Sequence, residues 1–196
     1  EAPSLADRAL RLLHHLLVLR ALQNFVGLRK ARLTFSAAAA ISPEVVLYFH
    51  ALGIPVREGY GMTECTGFSF VQREGEVRPG TVGTPIPGLE FRLAPDGELL
   101  KRGEGVFLGY YRDPGATAEA FRDGWFLTGD IGEIDADGYV RVTDRKKDII
   151  VTSGGKNVAP QPIENLLKTN PYILNAVVVG GSRKFISALI VPQFEK

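Results

Sequence analysis

A chain of 196 residues, 45% hydrophobic and 23% charged, has the make-up of a soluble globular protein with room for a sizeable core, or for one domain and part of another. Its 23 basic and 22 acidic side chains leave a formal charge of +1, and the aromatics are scattered rather than interleaved with basic clusters, which argues against a nucleic-acid partner. Cys65 is the only cysteine, so no intramolecular disulfide can form and a reduced, cytoplasmic protein is expected.

Residues 1–28 are the one candidate for a targeting or membrane segment. A spanning helix needs about 20 nearly uncharged residues, and Asp7, Arg8, Arg11, His14, His15 and Arg20 interrupt this one. The pattern predicts an amphipathic helix with Leu5, Ala9, Leu12, Leu13, Leu16 and Leu19 on one face. Packing is its expected role, and peripheral contact with the inner face of a membrane is the alternative.

Residues 31–35 alternate like a strand. Ser42-Pro43-Glu44 then opens a helix, with Ser42 as N-cap, Pro43 at the first helical position, and Val45, Val46, Phe49 and Leu52 facing inward until Gly53 ends it. Residues 54–57 read as a short strand that stops at a Gly59-Tyr60-Gly61 turn. Strand, helix, strand in that order suits a parallel α/β sheet.

From Gly80 the character changes. Turn chemistry at 87–88, 95–97 and 135–138 separates short apolar runs, and 91–93, 98–101, 131–134 and 139–142 read as antiparallel strands of a small barrel-like unit, with a short helical turn at 117–121. After the charged run 144–148 the pattern predicts a strand at 149–152, a Gly154-Gly155 turn, a helix over 162–169, and strands at 176–179 and 186–191. The class is mixed α/β in three pieces: 1–79 ending a parallel α/β unit, 80–143 rich in β-structure, and 149–196 an incomplete small α+β domain beyond a hinge at 144–148.

Three motifs carry chemistry. In Gly59-Tyr60-Gly61-Met62-Thr63-Glu64 the glycines allow close backbone approach to a ligand and Tyr60 offers a flat face. Thr63 and Glu64 suit a phosphate oxygen and a Mg²⁺ ion, which prefers oxygen ligands. A plain turn at a strand end explains the same residues. Asp130, closing GWFLTGD (124–130), is placed like a carboxylate that accepts from the two vicinal hydroxyls of a ribose, or caps its own turn. In DRKKDIIVTSGGK (144–156), Arg145 reaches ribose or phosphate oxygens and Lys147 takes a torsion change if the run is a ligand-contacting hinge; a solvated charge cluster is the bland alternative. His14, His15 and His50 do not pair with Cys65 or an acidic cluster at metal-ligand spacing, which argues against zinc, and Ser153 lacks the Gly-x-Ser-x-Gly setting of a nucleophile.

The order of these motifs, with GTVGTPIPG (80–88) and GYYRDPGATAEAF (109–121) between them, resembles the adenylate-forming superfamily of acyl- and aryl-CoA synthetases, luciferases and peptide-synthetase adenylation domains. The resemblance runs from about Ala31 to the C-terminus. The stretches DRKKDIIVTSGGKNVAP (144–160) and VVVGGSRKFISALIVP (177–192) look most like bacterial long-chain fatty-acid CoA ligases.

The resemblance implies that ATP, Mg²⁺ and CoA are bound and that a fatty acid is activated to acyl-AMP, then passed to CoA. It implies that Tyr60, between Gly59 and Gly61, stacks on adenine in a pocket lined by Ala38 and Ala39, and that Thr63 contacts the α-phosphate. Glu64 would hold Mg²⁺, Asp130 the ribose hydroxyls, and Arg145 the nucleotide. Lys147 falls at the hinge, and Gly154 and Gly155 in the loop shown to CoA. The resemblance implies that the family's phosphate loop falls upstream of the Ser36 region, where nothing between Glu1 and Arg32 resembles it, and that its adenylation lysine is expected beyond Lys196. This piece of a parent enzyme is therefore expected to be inactive alone. An acyl-AMP ligase serving a carrier protein and a non-catalytic nucleotide-binding module are the competing readings.

Overall fold

A computed structural model describes residues 4–194. The opening Glu1-Ala2-Pro3, the closing Glu195-Lys196 and the Arg11 side chain lie outside what is described. Helix α1 (Leu5–His14) runs through five residues of π-helix (His15–Leu19) into α2 (Arg20–Phe25). Only the far end of this helix is anchored: Leu19 and Leu28 pack against Leu52, Ile54 and Val56, and buried Gln23 donates to the Leu52 carbonyl at 2.7 Å. Of the expected packing face, Leu5, Leu12, Leu13 and Leu16 are exposed among the described residues. No helix among the described residues is long and apolar enough to cross a membrane.

Strand β1 (Thr34–Ser36) pairs in parallel with β2 (Val56–Met62), and α3 (Pro43–Ala51) connects them. Pro43 starts α3 as expected and Gly53, at φ +75°, follows its end. Two details differ from the sequence expectation. Ser42 stands at the N-cap but its hydroxyl bonds the Glu44 carboxylate rather than a backbone N–H. Val46 is buried whereas Val45 is exposed, because a single sheet covers only a narrow stripe of the helix.

A larger correction concerns the glycine motif. Gly59-Tyr60-Gly61 is not a turn that ends a strand at residue 57: β2 continues to Met62 and folds back through a 3₁₀ turn at Thr63–Cys65 into β3 (Gly67–Val71). A register shift between Tyr60 and Gly61 kinks the hairpin, and β4 (Thr84–Pro85) extends the sheet beyond β3. The glycine at 61 is required by packing. A Cβ there would sit 1.8 Å from the Gly67 carbonyl oxygen.

The second sheet is antiparallel, built from β5 (Glu90–Leu93), β6 (Glu98–Arg102), β7 (Phe121–Arg122), β8 (Trp125–Ile134) and β9 (Val140–Arg145). The ten-residue β8 organises it: β6 pairs along one edge, while β7 pairs with its start and β9 with its end. Helix α4 (Pro114–Ala120) precedes β7, capped by Asp113, whose carboxylate accepts from Ala116 N–H at 2.9 Å. Phe70, Leu99 and Val140, all fully buried, join the two sheets in one core. Burying each such side chain contributes about 2 kcal/mol.

Beyond β9 lie a hairpin of β10 (Ile150–Val151) and β11 (Asn157–Val158), helix α5 (Pro160–Lys168, two residues earlier than the sequence suggests), and a hairpin of β12 (Ile173–Val179) and β13 (Ser187–Pro192). Asp144 ties this unit to β9. Its buried carboxylate accepts the Arg145 N–H at 2.7 Å and the Gln161 N–H, in the first turn of α5, at 3.0 Å.

Two glycines separate packing from loop freedom. Gly61→Ala is expected to destabilise by about 3 kcal/mol or to prevent folding. Gly154→Ala, with nothing within 4 Å of the added carbon, is expected to change stability by less than about 0.5 kcal/mol. Urea unfolding of the two variants checks the contrast.

Candidate functional site

Tyr60 points from the kinked end of β2 into the seam between the sheets. Its ring packs beside Phe70, with centroids 6.1 Å apart, and its hydroxyl donates to Asp130 Oδ2. Asp130 lies on β8, paired in register with Arg145 of β9, and Arg145 Nε stands 3.1 Å from Asp130 Oδ1. The carboxylate is nearly buried, with the Asp130 side chain 5% exposed, while that of Arg145 is 52% exposed. The acid is thus gripped from the core by a phenol and from solvent by a guanidinium.

These residues border a cleft of about 200 Å³ whose opposite wall is the loop after β1. Of the residues singled out in the sequence, Ala38, Ala39, Gly59, Tyr60, Gly61, Asp130 and Arg145 all line it. Ala38 adopts φ +73°, a left-handed conformation that costs a residue with a Cβ about 1 kcal/mol. Thr63 and Glu64 lie outside this cleft, on the 3₁₀ turn beyond Met62. Lys147 borders a separate open hollow with Gly129, Arg145 and Lys146. Gly154 and Gly155 occupy the β10–β11 turn, where an added Cβ would meet no atom within 4 Å.

Glu64 accepts from the Tyr110 hydroxyl at 3.0 Å through Oε1. The described residues contain no group of three or more His, Cys, Asp or Glu side chains able to hold a metal. A divalent ion at Glu64 would therefore draw its other ligands from outside the described residues, and phosphate and water oxygens suit Mg²⁺ in that role.

Burial, reinforced by the Asp130 charge, pushes the Tyr60 phenol well above its ordinary range, so the hydroxyl remains a donor. Burial also raises the carboxyl of Glu58 at the cleft floor, while the Gly80 N–H, 3.0 Å from its Oε1, partly offsets this. Lys101 on β6 is fully buried. Burial lowers its ammonium from 10.5 to about 8, against the opposing pull of Cys65 and Asp130.

Glu58, Asp144 and Gln161 line the cleft, and Lys101 stands behind it; the motif reading passed over all four. Glu58 adjoins Gly59 and Asp144 opens the charged run, so proximity to a motif was a usable signal. Lys101 was legible from strand alternation, since it shares a face with Leu99 and that face is the core. Gln161 carried no local signal.

Two family models match the chain: AMP-binding enzyme over residues 2–111, and AMP-binding enzyme C-terminal domain over residues 147–196. A long-chain-fatty-acid–CoA ligase, FadD15, of Mycobacterium bovis is 45% identical over 96% of this chain. The human long-chain-fatty-acid–CoA ligase ACSBG1 is 36% identical over 89% of it. The chain spans about a third of the length of the former, 31%, and 25% of the latter. Among solved structures, the o-succinylbenzoate coenzyme A synthetase of Bacillus subtilis with ATP and magnesium superposes at a TM-score of 0.75, with 27% identity, covering 83% of this chain and 37% of that one.

The Lys101 shift fixes a sign. Below pH 8 the lysine is charged folded and unfolded, and its burial cost is fully present. Between about 8 and 10.5 the unfolded chain holds a proton that the folded chain has released, so this group makes stability rise with pH. Lys101→Met is expected to be more stable than the unmodified protein at pH 7, by up to about 3 kcal/mol. The gap should narrow toward pH 10, which urea unfolding at both pH values measures.

Proposed function

The chain belongs to the AMP-binding enzyme family, and from that premise we propose that it is part of an ATP-dependent, AMP-forming ligase joining a long-chain fatty acid to CoA. The observation that carries this reading is the juxtaposition of Tyr60, Asp130 and Arg145 around one cleft. A flat ring, a nearly buried anionic acceptor and a half-exposed cation match a purine, a ribose diol and a phosphate in that order. The relatives named long-chain-fatty-acid–CoA ligases support the choice of acid and acceptor.

On this reading residues 1–79 close the α/β part of a large domain, 80–143 form its β-rich part, 144–148 are the hinge and 149–196 begin a small domain. Adenine stacks on Tyr60 between Gly59 and Gly61, against Ala38 and Ala39. Asp130 accepts from the ribose hydroxyls and Arg145 contacts the nucleotide from the hinge side. Thr63 donates to an α-phosphate oxygen as it becomes crowded. Mg²⁺ bound through Glu64 supplies positive charge to the phosphates.

A carboxylate oxygen of the fatty acid attacks the α-phosphorus, the bond to the bridging oxygen breaks, and pyrophosphate leaves with the electron pair. In the second half-reaction the CoA sulfur attacks the acyl carbon, the bond to the AMP oxygen breaks, and the thiol proton is lost to solvent. A turn of the hinge would alter the contacts of Arg145 and Lys147, which border one hollow, and would present the Gly154-Gly155 turn, where an added Cβ meets no atom within 4 Å, to the thiol. The exposed apolar side of α1 suits fatty-acid delivery at the inner face of a membrane.

The test is an assay of the full-length protein for AMP release and acyl-CoA formation across short- to long-chain carboxylates. Thioester formation that peaks with long chains is expected, and Asp130→Ala should lower kcat/KM for ATP about 100-fold. Acyl-AMP that accumulates with CoA present would transfer the assignment to a ligase serving a carrier protein. Absence of adenylation with every acid would leave a nucleotide-binding module.

A further inference from the structure

Lys101 is a lysine placed where its strand calls for an apolar residue. In β6 it lies on the face of Leu99, both side chains are fully buried, and that face meets the Phe70–Val140 core. Its ammonium donates to Ser69 Oγ at 2.9 Å. Among the described residues no carboxylate oxygen lies within 4.0 Å of it. The buried Cys65 thiol is a further polar neighbour, and the rest of what it faces is aromatic: the nitrogen stands 4.2 Å from the centroid of the Tyr60 ring and 5.7 Å from that of Phe70.

A fold has no need of this charge, since an apolar side chain of similar length avoids the desolvation cost. Residues that break the local pattern at such a cost concentrate at functional sites. Lys101 does not line the cleft, but Tyr60 does, so the ring stands between the ammonium and any ligand. The same ring carries the hydroxyl that donates to Asp130. A cation over a phenol attracts the ring and draws electron density from it, which strengthens the O–H as a donor. The carboxylate of Asp130 in turn favours the charged lysine. Arg145, the other cation at Asp130, belongs to the charged run 144–148, whereas Lys101 is fixed in the middle of a sheet.

We propose that Lys101 is a positioning residue for the nucleotide, its buried ammonium holding the Tyr60 ring and aiming the Tyr60 hydroxyl at Asp130 before the nucleotide arrives. The proposal rests on the assignment of Tyr60 and Asp130 to adenine and ribose. It adds to that site a residue that touches neither.

The experiment compares the full-length protein with its Lys101→Met and Lys101→Arg variants, by calorimetric titration with AMP, by steady-state kinetics in ATP, and by thermal unfolding at pH 7. Lys101→Met should melt no lower than the unmodified protein, yet bind AMP about tenfold more weakly. Its KM for ATP should rise in step, with kcat changed less than about twofold. Lys101→Arg, which restores the cation, should recover part of the affinity. A merely structural lysine would lose affinity and melting temperature together, and that result overturns the proposal. So does a Lys101→Met protein that fails to fold, or one that binds AMP as well as the unmodified protein. Failure of the unmodified protein to bind AMP overturns the nucleotide assignment itself, and the role of Lys101 falls with it.

Discussion

The site depends on one hydrogen bond across the seam between the two sheets: the Tyr60 hydroxyl on the Asp130 carboxylate, between residues 70 positions apart. Tyr60 belongs to the sheet begun by a parallel pair, Asp130 to the antiparallel sheet, and the cleft opens where they meet. Everything that shapes the cleft serves this contact. The kink between Tyr60 and Gly61 aims the ring, the Phe70–Leu99–Val140 core sets the distance between sheets, and the β8–β9 register brings Arg145 onto the same carboxylate.

The seam is built from polar groups to an extent that a plain core would not tolerate. Gln72 is almost wholly buried. Its side-chain oxygen accepts from the Glu58 N–H at 2.8 Å, and its amide nitrogen donates to the carbonyls of Arg78 and Thr81 at 2.6 and 2.8 Å. Thr128 donates to the Leu99 carbonyl at 2.7 Å, and Lys101 donates to Ser69. Among the described residues no buried side-chain nitrogen or oxygen is left without a partner. Such a network is costly when any member is lost, and it holds its side chains in one arrangement, which is what a ligand-binding wall requires.

The charged run after β9 divides its labour residue by residue. Asp144 faces inward and fastens the first turn of α5. Arg145 faces Asp130. Lys146 reaches back to the turn before β6, with Asp96 and Glu98 oxygens 2.7 and 2.8 Å from its nitrogen. Lys147 makes none of these contacts and borders an open hollow, and Asp148 is likewise exposed. Charge in this stretch therefore marks three anchors followed by two exposed positions, rather than a uniformly solvated face.

Part of the order of elements was legible in the residues themselves. Pro43 and Gly53 bracket α3, and the turns at 95–97 and 135–138 separate strands of the second sheet, because backbone preferences of Pro, Gly and Asp act over a few residues, whereas α4 starts three residues before the expected 117 because Asp113 caps it. Local preference also showed that Tyr60, Asp130 and Arg145 were unusual, each with a bland alternative beside it. It did not decide that Gly59-Tyr60-Gly61 continues a strand, since that follows from pairing with β3. Nor did it separate Tyr60, in the cleft, from Glu64, outside it. The exposure of most of the α1 leucines and the burial of Lys101 under Tyr60 belong to the same class. Those outcomes depend on which surface lies opposite a side chain, and residues far apart in the chain supply that surface. Sequence alone determined the main helices, the turns and the chemical types available; tertiary structure decided strands such as β3 and the first half of β8, and which side chains meet, because burial and pairing are properties of partners and not of single residues.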